Sequence, residues 1–219
     1  MNDSFDFAGQ RQKRKDLQMG KENYRIERVN KEECRGFLLK HHYLSRQGHG
    51  FRSGYNYGLF DGEKLIGVAI FHGISAGETV VGCFGLTKND QAGFFELGRL
   101  AMDPENKVKN LTSWFLARAM RIFKAEAKPR AIISYADATY HHGYIYQACN
   151  YTYHGLTAAK SDYWIKQEDG TFKKAGRGCK GDGEWRPRSR KHRYLMVYDK
   201  RLNVLWPTEK YPKGDNSEY

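Results

Sequence analysis

The chain of 219 residues carries 37 lysines and arginines against 25 acidic residues, giving a formal net charge of +12 and a sequence pI near 9.5. That length suits one domain, or one domain with insertions, and allows a sizeable core, while the cationic excess favours a polyanionic partner without by itself choosing nucleic acid. No apolar run approaches the roughly 20 residues that cross a bilayer, and Cys34, Cys83, Cys149 and Cys179 are widely spaced, with no CxxC pair and no secretory leader, so no membrane partner and a reducing cytoplasm are expected.

Residues 1–22 cluster Arg11, Lys13, Arg14 and Lys15 in a polar stretch without periodicity, expected as a flexible basic arm that either meets phosphate or is a plain terminus. Tyr24 to Val29 alternates as a strand, and Asn30 with Glu33 three residues later signals a helix N-cap with its capping-box partner. In that helix Cys34, Phe37, Leu38 and His41 fall at i, i+3, i+4 and i+7, with His42 and Tyr43 at the exit. The following loop, loosened by Gly48, Gly50 and Gly54, carries Arg46, His49 and Arg52 and reads either as a phosphate contact or as a connection. Asp61-Gly62, between Tyr55–Phe60 and Lys64–His72, marks a hairpin, so the sheet begins antiparallel. Residues 73–93 have no clear period and are expected as loop with at most a short strand.

Phe94 to Met102 reads as a strand with Phe95, Leu97, Arg99 and Ala101 on one face. An arginine in that row needs a carboxylate, a phosphate or water, because an unpaired buried charge costs several kcal/mol; Asp137 and Glu96 are the structural alternatives. The longest helix follows Asp103-Pro104, with Asn110 as cap, Leu111, Trp114, Phe115, Arg118 and Ile122 on one face, and Pro129 as its end. Thr112 and Ser113 place hydroxyls beside its first backbone N–H groups, a setting that suits an anion and that also serves simply to satisfy a first turn. Ala131 to Ala136 is a β-branched strand delivering Asp137 to its C-terminal end, ahead of His141, His142 and a short helix from about Gly143 to Cys149. Ligands gather beyond the carboxyl ends of strands in open α/β sheets, which puts the candidate active site here.

With Tyr151 to His154 as the next strand, strand, long helix, strand, short helix, strand form a βαβαβ tail whose central strands should be parallel. Between Thr171 and Arg193 lie Lys173, Lys174, Arg177, Lys180, Arg186, Arg188, Arg190, Lys191 and Arg193 against only Asp182 and Glu184, with Trp185 among them. Cations neutralise phosphates and an aromatic stacks on or wedges beside a base, so this glycine-rich insertion at about 171–193 is the candidate DNA contact, a solvated basic hairpin being the alternative. Tyr194 to Tyr198 returns as a strand, and the polar tail 207–219 is expected to fray.

Ser134-Tyr135-Ala136-Asp137, His142-Gly143, Ile145-Tyr146-Gln147-Ala148 and Asn150-Tyr151 resemble the signature of the Mom family of bacteriophage DNA-modification proteins, and Glu96-Leu97-Gly98-Arg99-Leu100 and His41-His42-Tyr43-Leu44 fit the same pattern in the same order. The resemblance covers roughly residues 24–200. It implies an α/β (α+β) domain over residues 23–206 with a fold like the GCN5-type N-acetyltransferases (GNAT-like), a mixed sheet flanked by helices. It further implies a viral transferase that converts adenine in double-stranded DNA to a carbamoylmethyl derivative, in the host cell cytoplasm, blocking host restriction.

Adenine N6 is a poor nucleophile because its lone pair is delocalised into the ring, so its modification needs an activated donor, alignment and a route for the departing proton. Asp137 is then the base or amine-orienting group, Arg99 the group that holds or polarises the donor, and Tyr146 a proton or hydrogen-bond donor. Ser113 completes the catalytic candidates. Since N6 lies inside the duplex, the nucleotide is expected to flip into a pocket. By the same resemblance His42 and Tyr43 are metal candidates, with iron as the ion, while the charge and aromatic content of the insertion make Arg186, Arg188, Arg190, Lys191, Trp185, Lys173 and Lys174 the candidate DNA contacts. The donor, a small molecule or carrier-bound group, is not identified by any residue. The wider superfamily implies an acetyl-CoA-type donor cradled by a glycine-rich loop, whereas Met102 to Asn110 contains no glycine. An acyl-CoA-dependent acetyltransferase acting on another amine, and a nonenzymatic DNA-binding protein on the same fold, are the alternatives.

Overall fold

A computed structural model of the chain describes residues 23–46, 50–176 and 181–214. In chain order the elements are β1 (Tyr24–Arg28), α1 (Lys31–His41), α2 (Tyr43–Arg46), β2 (Tyr55–Asp61), β3 (Lys64–Gly73), α3 (Gly77–Phe84), β4 (Phe94–Met102), α4 (Leu111–Ala127), β5 (Ala131–Asp137), α5 (Tyr144–Ala148), β6 (Thr152–Leu156), β7 (Ser161–Lys166), β8 (Phe172–Lys174), β9 (Gly183–Pro187) and β10 (Lys191–Val197). A seven-stranded sheet has the order β1-β2-β3-β4-β5-β10-β6, and β8-β7-β9 form a second, small sheet. Two units divide the chain: one runs to His72 and takes up Gly98–Glu126, and the other is Gly73–Leu97 with Ala127 onward.

In the first unit β1, β2 and β3 are antiparallel, and Gly62 makes the hairpin turn with φ at 56°, a conformation that glycine adopts without a steric penalty. Helix α1 opens on the capping box signalled by the sequence: the Asn30 side chain accepts from Glu33 N, and the Glu33 carboxylate accepts from Asn30 N, an arrangement worth about 1 kcal/mol. Its apolar stripe, Cys34, Phe37 and Leu38, packs with Val68, Ile70 and Ala101. Phe123 of α4 stacks on Phe71 at 4.4 Å between ring centroids, and truncating such a ring to alanine costs about 3–5 kcal/mol. The start of α4 differs from the expected cap, since Asn110 is left-handed (φ 59°) and Ser113 Oγ donates to its carbonyl at 3.1 Å.

In the second unit the first half of β4 pairs parallel with β5, from Phe94 opposite Ala131 to Leu97 opposite Ser134. Strand β10 then pairs antiparallel with both β5 and β6, so these two run in the same direction with β10 between them. The stretch expected as loop holds α3. Its Val80, Cys83 and Phe84 pack with Ile74, Phe94, Ala131, Ile133 and Leu195, and Gly85, with φ at 67°, ends it. Two valines and Gly82 give this helix weak intrinsic propensity, and burial of its apolar face stabilises it instead. The tail expected to fray is held as far as Gly214: Glu209 N donates to Tyr153 O at 2.9 Å, Tyr211 Oη to Tyr151 O at 2.6 Å, and Tyr144 Oη to Gly214 O at 2.8 Å.

The arm 1–22, Gly48, His49, Arg177, Cys179, Lys180 and residues 215–219 lie outside the described residues. Burial pushes the Cys34 and Cys83 thiols up to about 12 and that of Cys149 up to about 11, so these stay protonated and act as apolar packing groups. Among the described residues no helix is long and apolar enough to cross a membrane.

Candidate active site

Asp137 ends β5, where pairing with β10 sets Lys191 directly opposite it. One carboxylate oxygen, Oδ1, accepts from Ser189 Oγ and from Thr139 N, the latter at 3.1 Å. Thr139 Oγ1 in turn donates to Ser189 Oγ at 2.8 Å. The turn is closed by Tyr140 N and His141 N, both 3.0 Å from the Asp137 carbonyl. Among the described residues no hydrogen bond is given to Oδ2. The carboxylate is therefore fixed in orientation through one oxygen, and the other is left for a donor from outside.

Around this turn lies a shell of imidazoles and phenols, of which the sequence reading singled out His141 and His142 but not His192, Tyr153 or Tyr194. Tyr153 Oη is 2.8 Å from His192 Nδ1. Burial, helped by His142, His141 and Arg190, pushes the His192 pKa down, while burial raises that of Tyr153. Both shifts favour the uncharged form of each group, so the contact joins a neutral ring and a neutral phenol. His141 is also pushed down by burial, against the opposing pull of Asp137. Tyr194 Oη donates to the His142 carbonyl, and the His142 and His192 rings meet edge to face at 5.4 Å.

Tyr146 is 6 % exposed and lies with its ring 5.0 Å from Tyr194 and 5.6 Å from Tyr151. Gly143 lets α5 approach these rings: its φ is 78°, and a Cβ there would stand 2.6 Å from Tyr194 and 2.9 Å from Tyr146. Register is what brings Ser189, His192 and Tyr153 together with β5. Ser189 is 52 residues from Asp137 in sequence, so the nearest local signal, a serine between two arginines, reads as a phosphate contact instead.

The other catalytic candidates belong to the first unit. Arg99 donates through NH1 to Gly98 O at 2.7 Å and through NH2 to Gly50 O at 2.9 Å. Glu96, offered as one alternative partner for it, instead accepts from Ser75 N and Ser75 Oγ at 2.9 and 2.8 Å. Gly98 is required beneath the buried His72, whose Nε2 lies 2.1 Å from where a Cβ would stand.

His42 caps α1, takes Leu44 N on Nδ1 at 3.3 Å and stacks on Tyr43 at 4.9 Å. Among the described residues no three histidine, cysteine or acidic side chains converge to hold a metal. The segment before α4 does not fit a pyrophosphate cradle either. Besides lacking glycine, it turns its own N–H groups inward: Glu105 N to Asp103 Oδ1, Asn106 N to Asp103 O, and Leu111 N to Val108 O.

The cation-rich insertion is a sheet rather than a loop, and its charges are partly neutralised in place. Asp162 of β7 accepts from Arg188 Nε at 2.9 Å and lies 2.6 Å from Lys174 Nζ. These cations, Arg188 first, hold its pKa down at about 2. Arg186 pairs with Glu184 at 2.6 Å and lies over the rings of Trp164 and Phe172. Arg190 Nε donates to Thr157 O at 2.7 Å, and Lys191 N to Thr157 Oγ1 at 3.0 Å. Trp185, on β9, is 70 % exposed.

A family model described as the Mom protein family matches residues 23–213. Among solved structures, the IAA acetyltransferase from Bacillus cereus ATCC 14579 aligns with 17 % identity over 80 % of this chain and 99 % of its own, at a TM-score of 0.50. A GNAT family acetyltransferase from Elizabethkingia anophelis with acetyl-CoA bound aligns with 11 % identity over 81 % and 99 %, at 0.49. The ribosomal-protein-S18-alanine N-acetyltransferase from Escherichia coli aligns with 11 % identity over 82 % and 99 %, at 0.47. The first of these shows the fold: a mixed sheet flanked by helices, as in GNAT acetyltransferases. No curated protein sequence matches the chain.

Proposed function

The chain belongs to the Mom protein family, and on that premise we propose that it is a GNAT-type transferase that modifies adenine N6 in double-stranded DNA to a carbamoylmethyl-type derivative. Such a change in phage DNA would protect it from restriction enzymes in the host cytoplasm. The observation that carries this reading is Asp137, anchored through Oδ1 by Ser189 and Thr139 with Oδ2 unengaged among the described residues. A flipped adenine presents an amino group, and Oδ2 is suited to take one of its protons. As N6 attacks the activated carbon of the donor, the N6–C bond forms, the donor's leaving group departs with its bonding electrons, and the N6 proton passes to Asp137.

Tyr146, buried among tyrosines, supports the wall of rings that would receive a flat base. Ser113 is proposed separately as a hydroxyl for an anionic part of the donor. The net charge of +12 supports DNA as the partner. The inward-turned segment before α4 counts against coenzyme A as the donor's carrier.

Nucleoside mass analysis of plasmid DNA from expressing cells tests the proposal. It predicts an adenine derivative heavier than adenine and plasmid that resists some restriction nucleases; unmodified adenine under good expression would remove it, and an acetylated amine elsewhere would install the acetyltransferase reading.

A further inference from the structure

Strand pairing sorts the side chains of the small sheet onto two faces of different chemistry. Asp162 opposes Arg186, and Trp164 opposes Glu184 and Lys174, so one face holds the ion pairs that tie down Arg186, Arg188 and Lys174. On the other face Tyr163 opposes Trp185, and Ile165 opposes Gly183 and Lys173. Trp185 stands there 70 % exposed, the most exposed of the large apolar side chains among the described residues. Its ring is propped against Tyr163 at 5.3 Å and 55°, and Tyr163 is itself fixed by donating to Gly181 O at 3.1 Å. An indole held in place and left in water suits a flat apolar partner.

Resting on the DNA reading above, we propose that the Tyr163–Trp185 face is a stacking wedge that fills the gap left in a duplex when a nucleotide is flipped out. The chain itself ties the wedge to the carboxylate. Trp185 is followed at the fourth position by Ser189, whose hydroxyl bonds Asp137. Four residues of extended chain span at most about 14 Å, which is about four base steps of 3.4 Å. The indole therefore reaches the same few base pairs that would supply the adenine. A void left by an extruded base is flat and apolar, and aromatic stacking fills it with little regard to sequence. The ion-paired face opposite carries its own countercharges, which makes it a weaker phosphate contact than its arginine count suggests.

The test compares binding to an intact duplex of about 20 base pairs with binding to the same duplex carrying one abasic site, for the wild-type chain and for Trp185→Ala and Trp185→Phe. Stacking of this kind is worth about tenfold in affinity. The wild type should therefore prefer the abasic duplex by about that factor, Trp185→Ala should fall to within about twofold, and Trp185→Phe should keep part of the preference, all with unchanged melting temperature. A Trp185→Ala chain that keeps the full preference, or a wild type that binds both duplexes equally, would overturn the wedge and leave the DNA reading standing. Absence of binding to either duplex by the wild type would overturn both.

Discussion

Asp137 and Arg99, each set on a strand of its own unit, are held in opposite ways. Arg99 points both terminal nitrogens at backbone carbonyls, Gly98 O and Gly50 O, and so fastens the chain at Gly50 to β4. Asp137 has one oxygen engaged twice and the other not at all among the described residues. A charge bonded to carbonyls of its own chain helps to hold the fold, whereas a carboxylate fixed through one oxygen is oriented to meet a donor through the other. Their sequence contexts alike put an ionisable group on an apolar strand, so the two are distinguished only by their partners.

If that contrast is right, Arg99→Ala should remove two charge-assisted hydrogen bonds and cost about 3 kcal/mol. It would appear as a melting temperature several degrees lower, with activity falling in step. Lysine at that position, a single point charge, should restore only part of the loss because it lacks the planar fork. A melting temperature unchanged by Arg99→Ala, with activity gone, would move Arg99 to the chemistry instead.

Ser189→Ala should act on the other side of the comparison. The carboxylate keeps its charge and loses one orienting donor, so modification should drop about tenfold, consistent with a loss of about 1.4 kcal/mol from a single hydrogen bond. Thermal stability and DNA affinity measured on the same preparation should change little.

Acid sharpens the picture of the shell. Because burial lowers the pKa of His141, His154 and His192 from the ordinary 6.5, the unfolded chain takes up protons first as the pH falls. Their contribution to stability is complete above about 6.5 and is lost below it. Melting temperatures between pH 8 and 5 should show this fall, and His192→Gln should make it shallower.

The smallest effect is expected from Arg186, Arg188 and Arg190 replaced together by alanine. Three phosphates neutralised would change the log–log salt slope of duplex binding by about three units. With Arg186 on Glu184 and Arg188 on Asp162, a change of about one is expected. A full change of three would mean that these pairs open on DNA.

The sequence made legible those elements whose signals are local: the Asn30–Glu33 capping box, the Asp61-Gly62 turn, the long helix, and the β-branched run that ends at Asp137. It did not reveal α3, whose valines and glycines are stabilised by packing rather than by propensity. Nor did it reveal β7, where Tyr163, Trp164 and Ile165 are apolar in succession, so that no period of two shows. The insertion of β10 between β5 and β6 is a long-range pairing that no window along the chain contains. The candidate site divides along the same line. Asp137 stands out as an acid at a strand end, while Ser189, His192 and Tyr153 become neighbours only once the register is set.

The most direct measurement is of Asp137→Asn beside the wild type, with melting temperature, duplex affinity and modified adenine in plasmid DNA determined on matched preparations. The account predicts a variant that folds and binds like the wild type yet forms about a hundredfold less modified adenine, the loss typical of a missing general base. A variant that is folded, bound to DNA and still fully active would contradict it.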